Sequence, residues 1–289
     1  KLPLYLTLDI GTDNVKALLC ESQGKSTIIR GVGRSSQKHG DMGSGGVMDI
    51  GNVIQNAAKA IEEAQNQAQG EARDSVIGIA GDLVKGMATH TTYMRKEPHI
   101  KIDLSELKHI IHKVQWRSFE DTRSRLAAET GLSETEIKLV NAAITDVRID
   151  GYRVSNPFGF QGKEISISIF NAFAPLAHYG ALQTIAAELE LNLMALVAQS
   201  YAVSRCMENY ETGAAQMNAI FIDIGGGTTD ISVVSNGSLE GAKMFTVGGR
   251  TFSKRLANTL NISLEEAEEI KRTYASGTLE KQSEKIVRE

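Results

Sequence analysis

Apolar and polar positions alternate from Leu4 to Asp9, the period of a half-buried strand that ends on an acid. Strand character resumes at residues 15–20, which makes residues 11–14 the turn of a hairpin. Gly and Ser crowd residues 35–46 and predict a loop. Val53, Ala57, Ala60, Ile61, Ala64 and Ala68 then recur at helical spacing and predict one amphipathic helix. Residues 76–80 read as a short buried strand.

The pattern changes near Gly81. Asp103 and Glu106 have the spacing of a capping box ahead of a helix with Leu104, Leu107, Ile110, Ile111 and Val114 on one face. Residues 118–129 read as a second helix. Val147, Ile149, Tyr152 and Val154 flank Asp150-Gly151, a two-residue hairpin signal, and Asn156-Pro157 with Gly159 closes the unit. Residues 82–165 therefore form a small α+β module inserted into a strand–helix–strand chain. Ile165, Ile167 and Ile169 predict the next strand, and Pro175 the first residue of a helix running to about Glu190. A helix over 200–210, a strand over 217–224, a hairpin at Asn236-Gly237 and a capped helix from Ser263 through Lys271 follow. Residues 280–289 are charged and read as the end of a helix.

The strongest pattern is an internal echo. Asp9-Ile10-Gly11-Thr12-Asp13-Asn14 and Asp223-Ile224-Gly225-Gly226-Gly227-Thr228-Thr229-Asp230 share one layout: apolar strand, Asp, glycine-containing turn, second strand. Either turn alone reads equally well as a tight hairpin; two copies imply two similar lobes facing across a cleft. Glycines let backbone N–H groups approach an anion closely. Thr12, Asn14, Thr228 and Thr229 can donate to phosphate oxygens, and Lys16 can add a point charge. An Asp at each strand end would repel phosphate unless a cation lies between, which points to Mg²⁺ held through water. No Lys-Ser/Thr follows the glycines, and a strand follows each turn, so neither a Walker loop nor a dinucleotide fingerprint applies.

Composition narrows the class. The chain has 289 residues, roughly two domains' worth at about 150 each. Hydrophobic residues make up 42% and charged residues 23%, which excludes disordered and fibrous classes. Net charge is 31 − 35 = −4, a poor match to nucleic-acid binding. Two cysteines, Cys20 and Cys206, exclude a disulfide scaffold and fit a reducing cytoplasm. No apolar run approaches the roughly 18 residues of a membrane span, and Asp9 interrupts the N-terminal apolar stretch that a signal peptide would need.

The two Asp-Gly motifs resemble the phosphate motifs of the actin, hexokinase and Hsp70 superfamily. Four further stretches resemble the FtsA family of bacterial cell-division proteins within it. These are Gly46-Val47-Met48-Asp49-Ile50; Ile79-Ala80-Gly81; Val147-Arg148-Ile149-Asp150-Gly151 with Asn156-Pro157-Phe158-Gly159-Phe160-Gln161-Gly162; and Val247-Gly248-Gly249 followed by Glu266-Ala267-Glu268-Glu269-Ile270-Lys271. The likeness runs over nearly the whole chain.

This resemblance implies a two-lobed actin-like (ribonuclease H-like) α/β ATPase fold with an inserted α+β subdomain and an incomplete second lobe. It divides the chain into a first-lobe subdomain (1–81), the insert (82–165), a return to the first lobe (166–205), a second-lobe subdomain (206–247) and part of a further one (248–289). It implies ATP and Mg²⁺ between the lobes, with Asp9 and Asp223 holding the metal's waters. Gly11, Thr12, Asp13, Asn14 and Lys16 would clasp the phosphates with Gly225, Gly226, Gly227, Thr228 and Thr229; Gly248 and Gly249 would line the nucleotide. Glu268 and Lys271 would face ribose and adenine; without the family they read as a surface i,i+3 ion pair. Gln199 stands where the family usually has Glu. It can orient a water beside Asp223, but it cannot act as a base at neutral pH, so at most slow ATP hydrolysis is implied.

The implied role is a cytoplasmic protein at the inner face of the membrane at the division site. It would polymerise, bind the FtsZ C-terminal tail and other divisome proteins, and tether FtsZ filaments through a C-terminal membrane helix. That helix, and the family's later Gly-rich adenosine motif, are not found by Glu289, so the expectation is a fragment. A PilM-like adaptor of type IV pilus assembly is the first alternative, and a small-molecule kinase of the superfamily the second. His109 and His112 lack a third ligand, the arginines around Phe119 are interrupted by Glu120 and Asp121, and the two cysteines read as small core residues.

Overall fold

The computed structural model describes residues 3–24, 26–80, 84–208 and 217–278. The chain begins with β1 (Leu4–Ile10), β2 (Asn14–Gln23), β3 (Ser26–Ser36), the ribbon β4 (Met42–Gly43) and β5 (Gly46–Val47), α1 (Ile50–Ala68) and β6 (Asp74–Ile79). Next come β7 (Lys85–Met94), α2 (Leu104–Thr130), β8 (Ile137–Ile149), β9 (Tyr152–Arg153) and β10 (Glu164–Pro175). After α3 (Leu176–Glu188), β11 (Asn192–Ala198) and α4 (Gln199–Glu208), the chain forms β12 (Ala219–Ile224), β13 (Thr229–Ser235), β14 (Ser238–Phe245), α5 (Gly249–Leu260) and α6 (Leu264–Ala275).

The first lobe is a five-stranded sheet ordered β3–β2–β1–β6–β11. β1, β2 and β3 form an antiparallel meander; β6 runs parallel to β1, and β11 parallel to β6. Its core joins Leu6, Leu8 and Ile10 of β1 to Ile77 and Ile79 of β6, Val53, Ala57 and Ala60 of α1, and Leu182 and Ile185 of α3.

Strand β3 carries no simple apolar alternation, because its interior contains Gly31 and Gly33. Those glycines are required by α1. A Cβ on Gly31 would stand 1.9 Å from Ala64 O, and one on Gly33 1.9 Å from Ala60 O. Alanines on the helix and glycines on the strand thus bring the backbones into contact. The N–H groups of Val32 and Arg34, on the edge of the sheet, donate to Gln67 and Glu63 of the same helix, at 2.6 and 2.8 Å. The open edge is thereby capped by side chains.

In the inserted module, α2 lays Leu107, Ile110 and Val114 against Ile165, Ile167 and Ile169 of β10. The two helices expected at 104–114 and 118–129 are one, Leu104–Thr130. Ser118 and Thr122, both fully buried, interrupt the apolar stripe and imitate a break. Ser118 Oγ accepts from Asn171 Nδ2 at 2.6 Å, so a buried hydrogen bond replaces apolar packing there. The box at Asp103 is half formed: its carboxylate caps Glu106 N at 2.7 Å, while Glu106 turns to the buried Arg95. Pro175 is the N-cap of α3 and the last residue of β10, one position before the helix proper.

The module's strands join those of the second lobe in one sheet, β12–β13–β14–β7–β10–β8–β9. The junction is short: Gly241 opposite Met87 and Ala242 opposite Gly86. β10 spans 164–175, so the expected boundary at 165/166 falls inside a strand. Both Asp/Asn-Gly pairs turn hairpins with positive φ at each residue: 47° and 86° at Asp150-Gly151, 50° and 73° at Asn236-Gly237. The full capping box at Ser263 and Glu266 opens α6. β11 and α5 have no counterpart in the periodicity of the sequence. The expected end of the 200–210 helix, Gly81 and the 280–289 tail lie outside the described residues.

Gly33→Ala should cost about 2–3 kcal/mol in urea unfolding, since α1 must move off β3 to admit the methyl group. An unchanged midpoint would contradict the close helix–strand contact.

Candidate functional site

Each echo motif closes the same turn. Gly11 N donates to Asn14 O at 3.0 Å, and Gly225 N donates to Thr228 O at 2.8 Å. The strands flanking each turn bring a residue seven positions later opposite the aspartate. In the first lobe that pairs Asp9 with Lys16; in the second it pairs Asp223 with Asp230.

The turns meet face to face. A Cβ on Gly226 would lie 3.0 Å from Asp13 Cβ, and one on Gly227 2.8 Å from Thr12 Oγ1. Gly248 packs behind the second turn, where a Cβ would come within 2.6 Å of Gly225 O. Gly249 N and Arg250 N donate to Gly225 O and Gly226 O at 2.9 and 2.7 Å, which docks the start of α5 on that turn. Gln37 steadies the first turn, donating from its N–H to Asp13 O at 2.9 Å and from Nε2 to Gly11 O at 3.2 Å.

Beside this contact lies a cavity of about 360 Å³. Of the residues singled out in the sequence, its walls include Asp9, Gly11, Thr12, Asp13, Asn14, Lys16, Gln199, Asp223, Gly225, Gly226, Thr228, Gly249, Glu268 and Lys271. Gly227 and Gly248 serve the packing just described. Thr229 turns its hydroxyl to Val247 O at 2.6 Å. The sequence reading missed Arg34, Asp230 and Arg250, which also line the cavity.

The groups are already engaged with one another. Gln199, the first residue of α4, donates from Nε2 to Asp9 Oδ1 at 2.5 Å, and Lys16 Nζ donates to Asp9 Oδ2 at 3.0 Å. Lys271 Nζ donates to Glu268 Oε2, Ser253 Oγ and Gly249 O at 2.6, 3.1 and 3.2 Å. The Glu268–Lys271 pair is thus an i,i+3 ion pair and a section of the cavity wall at once. Burial pushes the Glu268 carboxyl up, but the Lys271 and Ser253 hydrogen bonds and the Lys271 charge outweigh it and hold its pKa below the usual range.

Asp230 behaves oppositely. Burial first, and the facing Asp223 charge second, push its pKa from 3.8 up to about 6. The signal was present in the sequence as spacing: seven residues separate Asp9 from Lys16 and Asp223 from Asp230. The cavity wall carries five carboxylates (Asp9, Asp13, Asp223, Asp230, Glu268) against four cationic side chains (Lys16, Arg34, Arg250, Lys271). The Asp223–Asp230 pair has hard oxygen donors and a surplus charge that a Mg²⁺ ion would relieve.

Sequence comparison agrees with this architecture. A family model described as "Cell division protein FtsA" matches residues 220–289. The chain is 24% identical over 287 residues to the cell division protein FtsA of Bacillus subtilis, covering 97% of this chain and 60% of that protein. It is 26% identical over 286 residues to the FtsA of Enterococcus faecalis, covering 98% and 60%. Over nearly its whole length the chain is similar to FtsA proteins. It spans about 60% of the length of the curated FtsA proteins it matches. Among solved structures, a PilM–PilN type IV pilus biogenesis complex superposes with a TM-score of 0.67 at 18% identity, over 98% of this chain and 72% of that one. The ethanolamine utilization protein EutJ of Carboxydothermus hydrogenoformans gives 0.52 at 16% identity, over 100% and 67%. The fold of the chain is the two-lobed actin-like α/β fold.

The raised Asp230 pKa has a stability consequence. Folding raises this carboxyl's affinity for its proton. The folded state is therefore unpenalised below about pH 4, loses stability as pH rises from about 4 to about 6, and carries the full penalty above that. Asp230→Asn should stabilise the chain by about 1 kcal/mol at pH 7.5, allowing for the residue's partial exposure, and leave it unchanged at pH 4. Denaturant unfolding at the two pH values checks this; an equal effect at both would contradict it.

Proposed function

We propose that this chain binds ATP with Mg²⁺ between its lobes and uses the nucleotide as a conformational switch for assembly in cell division. The observation that carries the reading is the pair of matching Asp–Gly turns brought onto one cavity in a chain similar to FtsA along 97% of its length. Backbone N–H groups and hydroxyls of residues 11–14 and 225–228 would hold the phosphates, with Lys16 as a point charge. Glu268 and Lys271, on the cavity wall, would take the ribose and base. Asp9 and Asp223 would hold the metal's waters, with Asp230 beside them. Bound Mg²⁺ would supply the positive charge that lets carboxylates and phosphates share the cleft.

Gln199 sets the expected chemistry. Its amide reaches Asp9 and can orient a water, but it takes up no proton at neutral pH, so turnover is slow. In this reading ATP does conformational work, and the protein polymerises, binds the C-terminal tail of FtsZ and holds FtsZ filaments at the cytoplasmic face of the membrane. Among the described residues no helix is long and apolar enough to cross a membrane. Membrane attachment would be peripheral.

The superposition on the PilM–PilN complex favours a second reading, an adaptor for a pilus-assembly tail. Two labelled peptides separate the readings: the FtsZ C-terminal tail and the cytoplasmic N-terminal tail of PilN. The division reading predicts micromolar binding of the FtsZ tail alone; binding of the PilN tail alone would overturn it. Asp223→Ala should weaken Mg·ATP binding at least about tenfold in titration calorimetry while leaving peptide binding unchanged. Full retention of Mg·ATP affinity would argue against the placement of the metal.

A further inference from the structure

A turn built to receive a polyanion carries an acid of its own. Asp13 lies at the tip of the first lobe's turn, and its carboxylate accepts from Asn14 Nδ2 at 2.6 Å. It faces two guanidinium groups of the second lobe, Arg250 of α5 at 3.8 Å and Arg272 of α6 at 3.9 Å. Arg250 is largely enclosed, its side chain 14% exposed, and donates to Gln37 O at 3.2 Å. Gln37 N in turn donates to Asp13 O, so one arginine ties α5 to both the carboxylate and the segment after β3 that supports it. Gly226 packs against Asp13 from the opposite turn.

Two other cations near the turns are differently engaged. Lys16 pairs with Asp9, and Lys271 with Glu268. Arg272, which is exposed, donates from Nε to Glu268 Oε1 at 3.1 Å and only skirts Asp13, whereas the enclosed Arg250 lines the cavity within ion-pair reach of Asp13. A phosphate in the cleft would present Arg250 with a better partner: more charge, and oxygens suited to a planar fork.

We propose that Asp13 is a built-in stand-in for phosphate, holding Arg250 across the cleft until an anionic ligand takes it over. The proposal rests on the nucleotide reading of this cleft and adds its regulation. Anion binding exchanges an ion pair between the lobes for one between protein and ligand. The competition lowers the affinity for phosphate. It also makes the grip of α5 on the first-lobe turn depend on what fills the cavity.

The test is titration calorimetry of the full chain with ATP, inorganic tripolyphosphate and adenosine, each with and without Mg²⁺. Wild type, Asp13→Asn, Arg250→Gln and the double variant are compared, with circular dichroism reporting that each is folded. Asp13→Asn keeps the shape and removes the competing charge. It should tighten binding of ATP and tripolyphosphate about tenfold and leave adenosine unchanged. In the Arg250→Gln background the same substitution should gain less than about threefold, because the contested cation is gone. Equal gains in both backgrounds would mean general repulsion and overturn the proposal. So would an unchanged or weakened affinity in Asp13→Asn. If wild type and Asp13→Asn bind ATP equally well, the nucleotide reading stands and this proposal alone falls. If neither folded variant binds ATP or tripolyphosphate, the nucleotide reading fails and the proposal with it.

Discussion

Two hairpin turns packed against each other are the constraint on which the rest of the structure depends. The contact leaves no room for side chains at Gly226 and Gly227, whose Cβ atoms would meet Asp13 and Thr12. Gly248 acts in the same way behind the second turn, letting the N-terminus of α5 sit on it. Strands β1 and β12 supply the acids, and the turns that follow line one cavity. The neighbouring elements position that meeting: α1 and α3 cover β1, Gln37 braces the first turn, and Gln199 enters from the end of β11.

The two lobes repeat a motif without repeating its chemistry or its surroundings. Asp9 faces a lysine across its hairpin and is neutralised there, whereas Asp223 faces Asp230 and the charge accumulates. The surplus gathers on the second-lobe side, which is where a cation has most to offset. Packing differs as well. Leu6, Leu8 and Ile10, just before the first turn, are 0%, 2% and 7% exposed. Their counterparts Ile220, Ile222 and Ile224 are 65%, 59% and 68% exposed, on a lobe that contributes three strands, β12–β14, among the described residues.

What the sequence shows and what it hides divide along physical lines. Local signals are legible: the alternation of β1, the apolar stripe of α1, the Asp150-Gly151 and Asn236-Gly237 hairpins and the box at Ser263 each need only a few neighbouring residues. The echo of two Asp–Gly turns exposed the site, because the same local chemistry was written twice. Features set by distant partners are not legible. Gly31 and Gly33 look like strand breakers until α1 is seen to lie against them. Ser118 and Thr122 look like the end of a helix until Asn171 is found beneath Ser118. Asp230 stands inside the second motif, where only the hairpin register turns the spacing into a pairing with Asp223, and Arg250 enters the site through helix docking, which no window of a few residues contains. The joining of the module's sheet to the second lobe rests on two residue pairs more than 150 positions apart in the chain.

The central claim is that the two turns form one phosphate and Mg²⁺ site between the lobes. The most direct measurement is a crystal structure of the chain with a non-hydrolysable ATP analogue and Mn²⁺ in place of Mg²⁺, the metal located by its anomalous signal. The account predicts phosphate oxygens in contact with the backbone N–H groups of residues 11–14 and 225–228, and the metal peak between Asp9 and Asp223. A nucleotide bound elsewhere, or a metal peak away from both aspartates, would contradict it.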